Sequence, residues 1–206
     1  MKELSQRLSA LFPLRSILQA NEVFLDFCRM IFFSVSSIIL LLTFVFRLAV
    51  VDGPSMNNTL QHGDCVLITN YQTFFDYTPG LNLKAGDVVA VAPDIESHHE
   101  HKIDNAFIKR VIATEGQTIG FDTQKGAVYI DGKIIKEPYI SSKTLKSVEW
   151  NIPDKIPEGK VFVMGDNRAV SVDSRSSRIQ LVDKKDIIGK AQIIVFPFNR
   201  FSYIYK

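Results

Sequence analysis

From Met30 to Phe46 the chain runs without a charge, and Leu48 to Val51 carry the apolar run past Arg47. A bilayer core needs roughly 17–25 apolar residues as a helix, so the pattern predicts a transmembrane helix over 30–51. A cleaved signal peptide has a shorter apolar core nearer the N-terminus. An amphipathic surface helix keeps a polar face, which this run lacks. After Val51 the pattern changes. Short Val- and Ile-rich runs are split by Gly, Asp, Asn and Pro: Cys65–Ile68, Asp87–Val91, Ala127–Ile130, Lys160–Met164 and Ala191–Val195. Such spacing predicts an all-β region of short strands. Asp131-Gly132, between two apolar runs, predicts a two-residue hairpin turn. Residues 94–106 and 141–158 are polar or Pro-bearing and read as loops. The expected chain is mainly β, with an N-terminal segment 1–29, a transmembrane helix 30–51 and a β domain 52–206.

Charge adds direction to this layout. The chain has 24 basic and 22 acidic residues among 206, a net charge of +2. That excludes a broad basic surface for nucleic acid. The excess lies before residue 52, where Lys2, Arg7, Arg15, Arg29 and Arg47 face Glu3, Glu22 and Asp26. Four of these cations precede the span, and none lies between Arg47 and Lys84. The positive-inside rule therefore predicts a single-pass protein of the cell membrane, with a cytoplasmic N-terminus and an extracytoplasmic β domain. Cys28 and Cys65 make no disulfide framework and no Cys-x-x-Cys metal pair, so no cofactor or metal is expected.

Three stretches carry candidate chemistry. Asp52-Gly53-Pro54-Ser55-Met56 follows the span and reads as a tight bend exposing a hydroxyl, or as an ordinary juxtamembrane turn. A nucleophilic serine needs a base. His98, His99 and His101 crowd one polar loop without metal-ligand spacing, and His62 follows a turn as a surface residue. Lysine serves as a base only when desolvation lowers its pKa. Lys109 has the apolar setting this requires, in Ala106-Phe107-Ile108-Lys109-Arg110-Val111-Ile112-Ala113. In a strand it points with Phe107 and Val111, and Arg110 points the other way. A charge protecting a strand edge is the competing reading of Lys109. The third stretch, Gly165-Asp166-Asn167-Arg168-Ala169-Val170-Ser171-Val172-Asp173-Ser174-Arg175, is dense in hydrogen-bonding groups, as a loop that holds an active site is.

Taken in order, the apolar span, Gly53-x-Ser55-Met56, Gly86-Asp87-Val88-Val89, Lys109-Arg110-Val111 and the 165–175 stretch resemble the type I signal peptidase family. These are membrane-bound serine endopeptidases with a Ser-Lys dyad. The resemblance covers roughly residues 30–200, and the last motif is its most specific part. It implies Ser55 as nucleophile and Lys109 as general base, with Met56 packed beside the serine. It further implies that Ser171 hydrogen-bonds the lysine, and that Asp173 and Arg175 form an ion pair. Gly165, Asp166, Asn167 and Arg168 would scaffold the loop. The chain departs from the family pattern in places. Gly53 stands where some members have an oxyanion-binding serine, which leaves the oxyanion to backbone N–H groups, chiefly that of Ser55. Ala113-Thr114-Glu115-Gly116-Gln117 keeps one Gly of the usual Gly-x-Pro-Gly-Asp. Asn58 replaces a common Pro, and Ser176-Ser177-Arg178 an aromatic-x-Gly stretch.

The function this implies is removal of N-terminal signal peptides from secreted preproteins after a small-x-small motif. Its partners would be secretory preproteins and the lipid bilayer, with no nucleic acid. A catalytically silent, membrane-tethered chaperone on the same fold is the alternative. Such a protein would lack the nucleophile or the base, and this chain keeps Ser55, Lys109 and Ser171. A self-cleaving Ser-Lys repressor would need a DNA-binding module where residues 1–51 offer none.

Overall fold

A computed structural model describes residues 12–70, 83–92 and 106–205. The chain divides into two compact units, Met1–Thr43 and Phe44–Lys206. The described part of the first is helical and belongs to α1 (Phe12–Val45), whose last two residues lie past the division. At 1.5 Å per residue it is about 51 Å long, longer than a bilayer core. Its stretch Asn21–Leu40 is long and apolar enough to cross a membrane. Phe32, Phe33, Ile38 and Leu40 on it are exposed. An apolar surface of this kind is stable against lipid and unfavourable against water. Thr43 bonds its hydroxyl back to the Ile39 carbonyl, 2.8 Å away, and so hides its own polarity.

The helix differs from the sequence expectation at both ends. It begins upstream of Met30 and stops at Val45. Phe46–Val50, expected to complete the span, instead form strand β1 (Phe46–Val50), paired from Phe46↔Thr69 to Val50↔Cys65 with β2 (Cys65–Asn70). Apolar content alone does not separate the last turn of a span from a strand. The β2 partner decides it, by taking up the backbone groups of residues 46–50 in a ladder.

The second unit is an antiparallel curled sheet. Its remaining strands are β3 (Val88–Val91), β4 (Phe107–Thr114), β8 (Lys160–Met164), β9 (Val182–Asp183), β10 (Ile187–Phe196) and β11 (Ser202–Tyr203). The order is β1-β2-β10-β3-β4-β8-β9, with β11 on β10. A smaller sheet joins β5 (Ile119–Asp122), β6 (Ala127–Ile130) and β7 (Lys133–Ile134). The turn between β6 and β7 is Asp131-Gly132, with φ of 50° and 73°. Positive φ at both central residues is what a type I′ turn requires.

Both faces of the main sheet are covered. Val88 and Ala90 of β3 face one core with Val66, Ile68, Ala191, Met56 and Leu60. Val89 and Val91 face another with Val111, Val161 and Val163. A third core packs Phe162 and Met164 of β8 against Val128 and Ile130 of the small sheet. Strand β3 is therefore buried on both faces. Its run of four apolar residues shows the continuous pattern of such a strand, without alternation. Strand β4 lies between β3 and β8, and it carries Lys109 and Arg110.

Candidate active site

The stretch from Gly53 to Leu60, which carries Ser55, is a turn pinned from within. Gly53 adopts φ +81°, a left-handed conformation that side chains disfavour. Past Pro54 the chain closes on itself through Asn57 N–H to the Pro54 carbonyl (3.2 Å) and Leu60 N–H to the Met56 carbonyl (2.8 Å). Met56 and Leu60, both fully buried, anchor the turn in the core. Burial of two such side chains stabilises the turn by roughly 3–6 kcal/mol. The Ser55 hydroxyl is left free to face β4.

Lys109 is 4% exposed. Its Nζ donates to Ser55 Oγ at 2.9 Å and to the Ile108 carbonyl at 3.1 Å, and it lies 5.3 Å from the centre of the Phe107 ring. Burial lowers its pKa from 10.5 to about 8, against the opposing fields of Asp173 and Asp166. No carboxylate pairs directly with the amine within salt-bridge distance among the described residues. Such an amine holds a sizeable neutral fraction at mildly alkaline pH, and neutral nitrogen can accept a proton.

Its neighbour Arg110 is also buried, on the opposite side of β4. There Nε and Nη2 grip the two oxygens of Asp166 at 2.8 and 2.6 Å, and Nη1 donates to the Gly86 carbonyl at 2.7 Å. The Tyr139 ring lies 4.0 Å from the guanidinium carbon. Desolvation opposes the charge of Arg110, and the Asp166 carboxylate more than restores it, so its pKa is raised.

The 165–175 stretch leaves β8 where β8 ends, opposite Arg110. Asn167 N–H donates to the Ser55 carbonyl at 2.9 Å and Asn167 Nδ2 to the Pro54 carbonyl at 3.3 Å, which ties loop to turn. Arg168, fully buried, donates to Glu137, to Thr144 Oγ1 (2.7 Å) and to the Gly165 carbonyl (2.9 Å). Arg175 grips both oxygens of Asp173 at 2.8 Å. Burial pushes the Asp173 carboxyl up, but Arg175 and the Gly165 N–H outweigh it and leave the pKa lowered.

Ser171 stands differently from what the resemblance implies. The Lys109 amine bonds to Ser55 and Ile108 and makes no hydrogen bond to Ser171, whose buried side chain faces the Asp173 carboxylate. Ser171 nevertheless lies close to the pair. A Cβ on Gly165 would fall 2.3 Å from Ser171 Oγ and 2.5 Å from the Ser55 carbonyl oxygen. Only glycine allows turn and loop to approach this closely.

Other sequence candidates sit elsewhere. His62 is a surface residue whose Nδ1 lies 3.1 Å from Asp52 and 3.3 Å from the Gly53 nitrogen. His98, His99 and His101 lie outside the described residues. Among the described residues no group of three His, Cys, Asp or Glu side chains is placed to hold a metal. Sequence reasoning missed three contributors: Arg110, Thr59, and the braces from residues 137–150. Glu149 accepts from Ser176 Oγ and Ser177 N–H at 3.0 Å each, and Trp150 Nε1 donates to the Ser174 carbonyl at 2.8 Å. The single Trp of a polar stretch was the available signal, since a buried indole seeks an acceptor.

Comparison with known proteins points to one family. A sequence model of the family described as signal peptidase, peptidase S26, matches residues 24–196. A signal peptidase I of Bacillus licheniformis is 32% identical over 192 residues, spanning 90% of this chain and 95% of that one. Signal peptidase I T of Bacillus subtilis (strain 168) is 30% identical over 186 residues, spanning 87% and 89%. The solved signal peptidase I structure from Enterococcus faecalis V583 overlaps 53% of this chain and 96% of its own, at 24% identity and a TM-score of 0.42.

Proposed function

The chain belongs to the signal peptidase family, peptidase S26, and is a serine peptidase that removes signal peptides; we propose that it does so with Ser55 as nucleophile and Lys109 as general base. The observation that carries this reading is the 2.9 Å contact between a buried, pKa-depressed amine and the hydroxyl of a pinned turn.

The reaction then runs in two halves. Neutral Lys109 takes the Ser55 proton as Oγ attacks the scissile carbonyl carbon. The oxygen that becomes negative is met by backbone N–H groups, chiefly that of Ser55. Gly53 brings no hydroxyl, and its own N–H faces His62 Nδ1. The Lys109 ammonium returns the proton to the leaving amine, which frees the mature N-terminus and leaves the signal peptide as an ester on Ser55. Lys109 next takes a proton from water, the hydroxide attacks the ester carbonyl, and the proton passes to Ser55 Oγ. Ser171, buried close to the Ser55 carbonyl, is placed to orient the amine once Ser55 Oγ has become acylated.

Strand register supports a place for the substrate. Phe107, Ile108 and Lys109 pair with β3 on one side, while pairing with β8 starts only at Arg110. The residues before the cut, in extended form, add to this edge, which is unpaired among the described residues, and gain main-chain hydrogen bonds. Shallow apolar subsites there accept the small residues of a small-x-small motif. Helix α1 anchors the enzyme in the bilayer with the N-terminus cytoplasmic and the β domain outside, by the bias of Lys and Arg before the span. Ser55 follows the last helical residue by ten positions.

The test uses the full chain in detergent with a precursor carrying an Ala-x-Ala site. Wild type is expected to cleave it, with Ser55→Ala and Lys109→Met inactive yet folded. The wild-type kcat/KM is expected to rise about tenfold between pH 7 and pH 9, as Lys109 loses its proton around pH 8. Full activity at pH 6 would exclude a lysine base.

A further inference from the structure

We propose that the Thr59 hydroxyl is a positioning group that sets Ser55 against Lys109, an inference that rests on the dyad reading above. Thr59 Oγ1 donates to Asp166 Oδ2 at 2.5 Å and accepts from Arg110 Nη2 at 3.1 Å. Asp166 is fully buried and Arg110 is 5% exposed. The nucleophile turn is thereby inserted into a buried ion pair as its third member.

The chain path gives this contact its meaning. Ser55 and Thr59 are the two ends of one turn, four residues apart. Lys109 and Arg110 are successive residues of β4 with side chains on opposite faces. Each end of the turn meets one of them: Ser55 Oγ at Lys109, and Thr59 Oγ1 at Arg110. Two attachments to one rigid strand fix where the turn lies along it and how it is rotated. The core contacts of Met56 and Leu60 hold the turn by packing, and the Thr59 bonds add a directional polar attachment at its far end. The hydroxyl is also chemically specific. It must accept from a guanidinium and donate to a carboxylate at once, which serine and threonine do and valine or alanine cannot. Both partners are buried and belong to one ion pair, so these are charge-assisted bonds of the stronger kind.

Thr59 Oγ1 bonds to Arg110 and Asp166, and not to Ser55 or Lys109, so its loss should act on chemistry more than on binding. The experiment compares Thr59→Ser, Thr59→Val and Ser55→Ala in the full chain, with kcat, KM and thermal midpoint measured for each. Thr59→Val is expected to lower kcat roughly 10- to 100-fold, the size of effect that a misplacement of about 1 Å produces. KM should stay within about twofold, and Thr59→Ser should restore kcat to within about threefold of wild type. If Thr59→Val does not fold, Thr59→Ala takes its place in the same comparison.

An unchanged kcat in Thr59→Val, with Ser55→Ala inactive, would overturn the Thr59 proposal and leave the dyad intact. Equal loss of kcat in Thr59→Ser and Thr59→Val would also overturn it, because the hydroxyl would then not be what matters. Cleavage by Ser55→Ala would instead overturn the dyad itself.

Discussion

Lys109 and Arg110 are neighbours on one strand, both buried and both basic, yet they end in opposite states. Arg110 meets a carboxylate in a two-point grip and stays charged. Lys109 meets a hydroxyl and a carbonyl, with acidic groups only at a distance, and its pKa falls to about 8. Burial alone therefore does not decide what a basic side chain does. The partner decides it: the paired Arg110 is a brace, and the unpaired Lys109 has the lowered pKa that the proposed base requires. The strand bears both, and the turn that carries Ser55 is held by both.

Arginine in place of lysine gives the largest effect and the sharpest way to break this contrast. Lys109→Arg keeps the charge but cannot give up its proton at any working pH. Cleavage is expected to fall by about four orders of magnitude or more; a steady-state assay showing appreciable turnover would mean that charge, and not proton acceptance, is what the site needs. Next comes the brace. Arg110→Met leaves the buried Asp166 without its partner, which costs about 3–5 kcal/mol when one member of a buried pair is removed. Urea unfolding at pH 7 should register that loss.

Lys109→Met should do the reverse and stabilise the fold while abolishing activity. The folded-state pKa lies below the unfolded value, so at pH below about 8 the native state carries the full cost of a desolvated ammonium. Removing the amine is then expected to add about 3 kcal/mol at pH 7. In wild type that cost is relieved as pH rises from about 8 to 10.5, so stability increases through this window and the advantage of the variant fades. The smallest effect belongs to the half-exposed pair Lys160–Asp183, 3.0 Å apart. Asp183→Ala should cost under about 1 kcal/mol, because solvent screens what burial would amplify.

What the sequence disclosed follows the same physics. Short β-branched runs announced β2, β3, β6, β8 and β10, because each buries apolar side chains in one or two of the cores. The apolar flanks of Lys109 marked it as an amine without solvent. The end of the span was not legible, since Phe46-Arg47-Leu48-Ala49-Val50 is as apolar as a helix end, and only β2 makes it a strand. The pairing of Arg110 with Asp166 was equally hidden, because the partners lie 56 residues apart. Residues 141–158 read as a plain loop. Thr144 and Ile156 within it are in fact buried, and Trp150 clasps the Ser174 carbonyl, so the stretch braces the 165–175 loop without regular structure to reveal it.

The account turns on the protonation state of one nitrogen. Titration of Lys109 by NMR in the full chain, with labelled lysine side chains and Lys109→Met to assign the signal, measures it directly. A midpoint near pH 8 is the expected result. A midpoint at or above 10.5, the ordinary value for lysine, would leave Ser55 without a base and contradict the account.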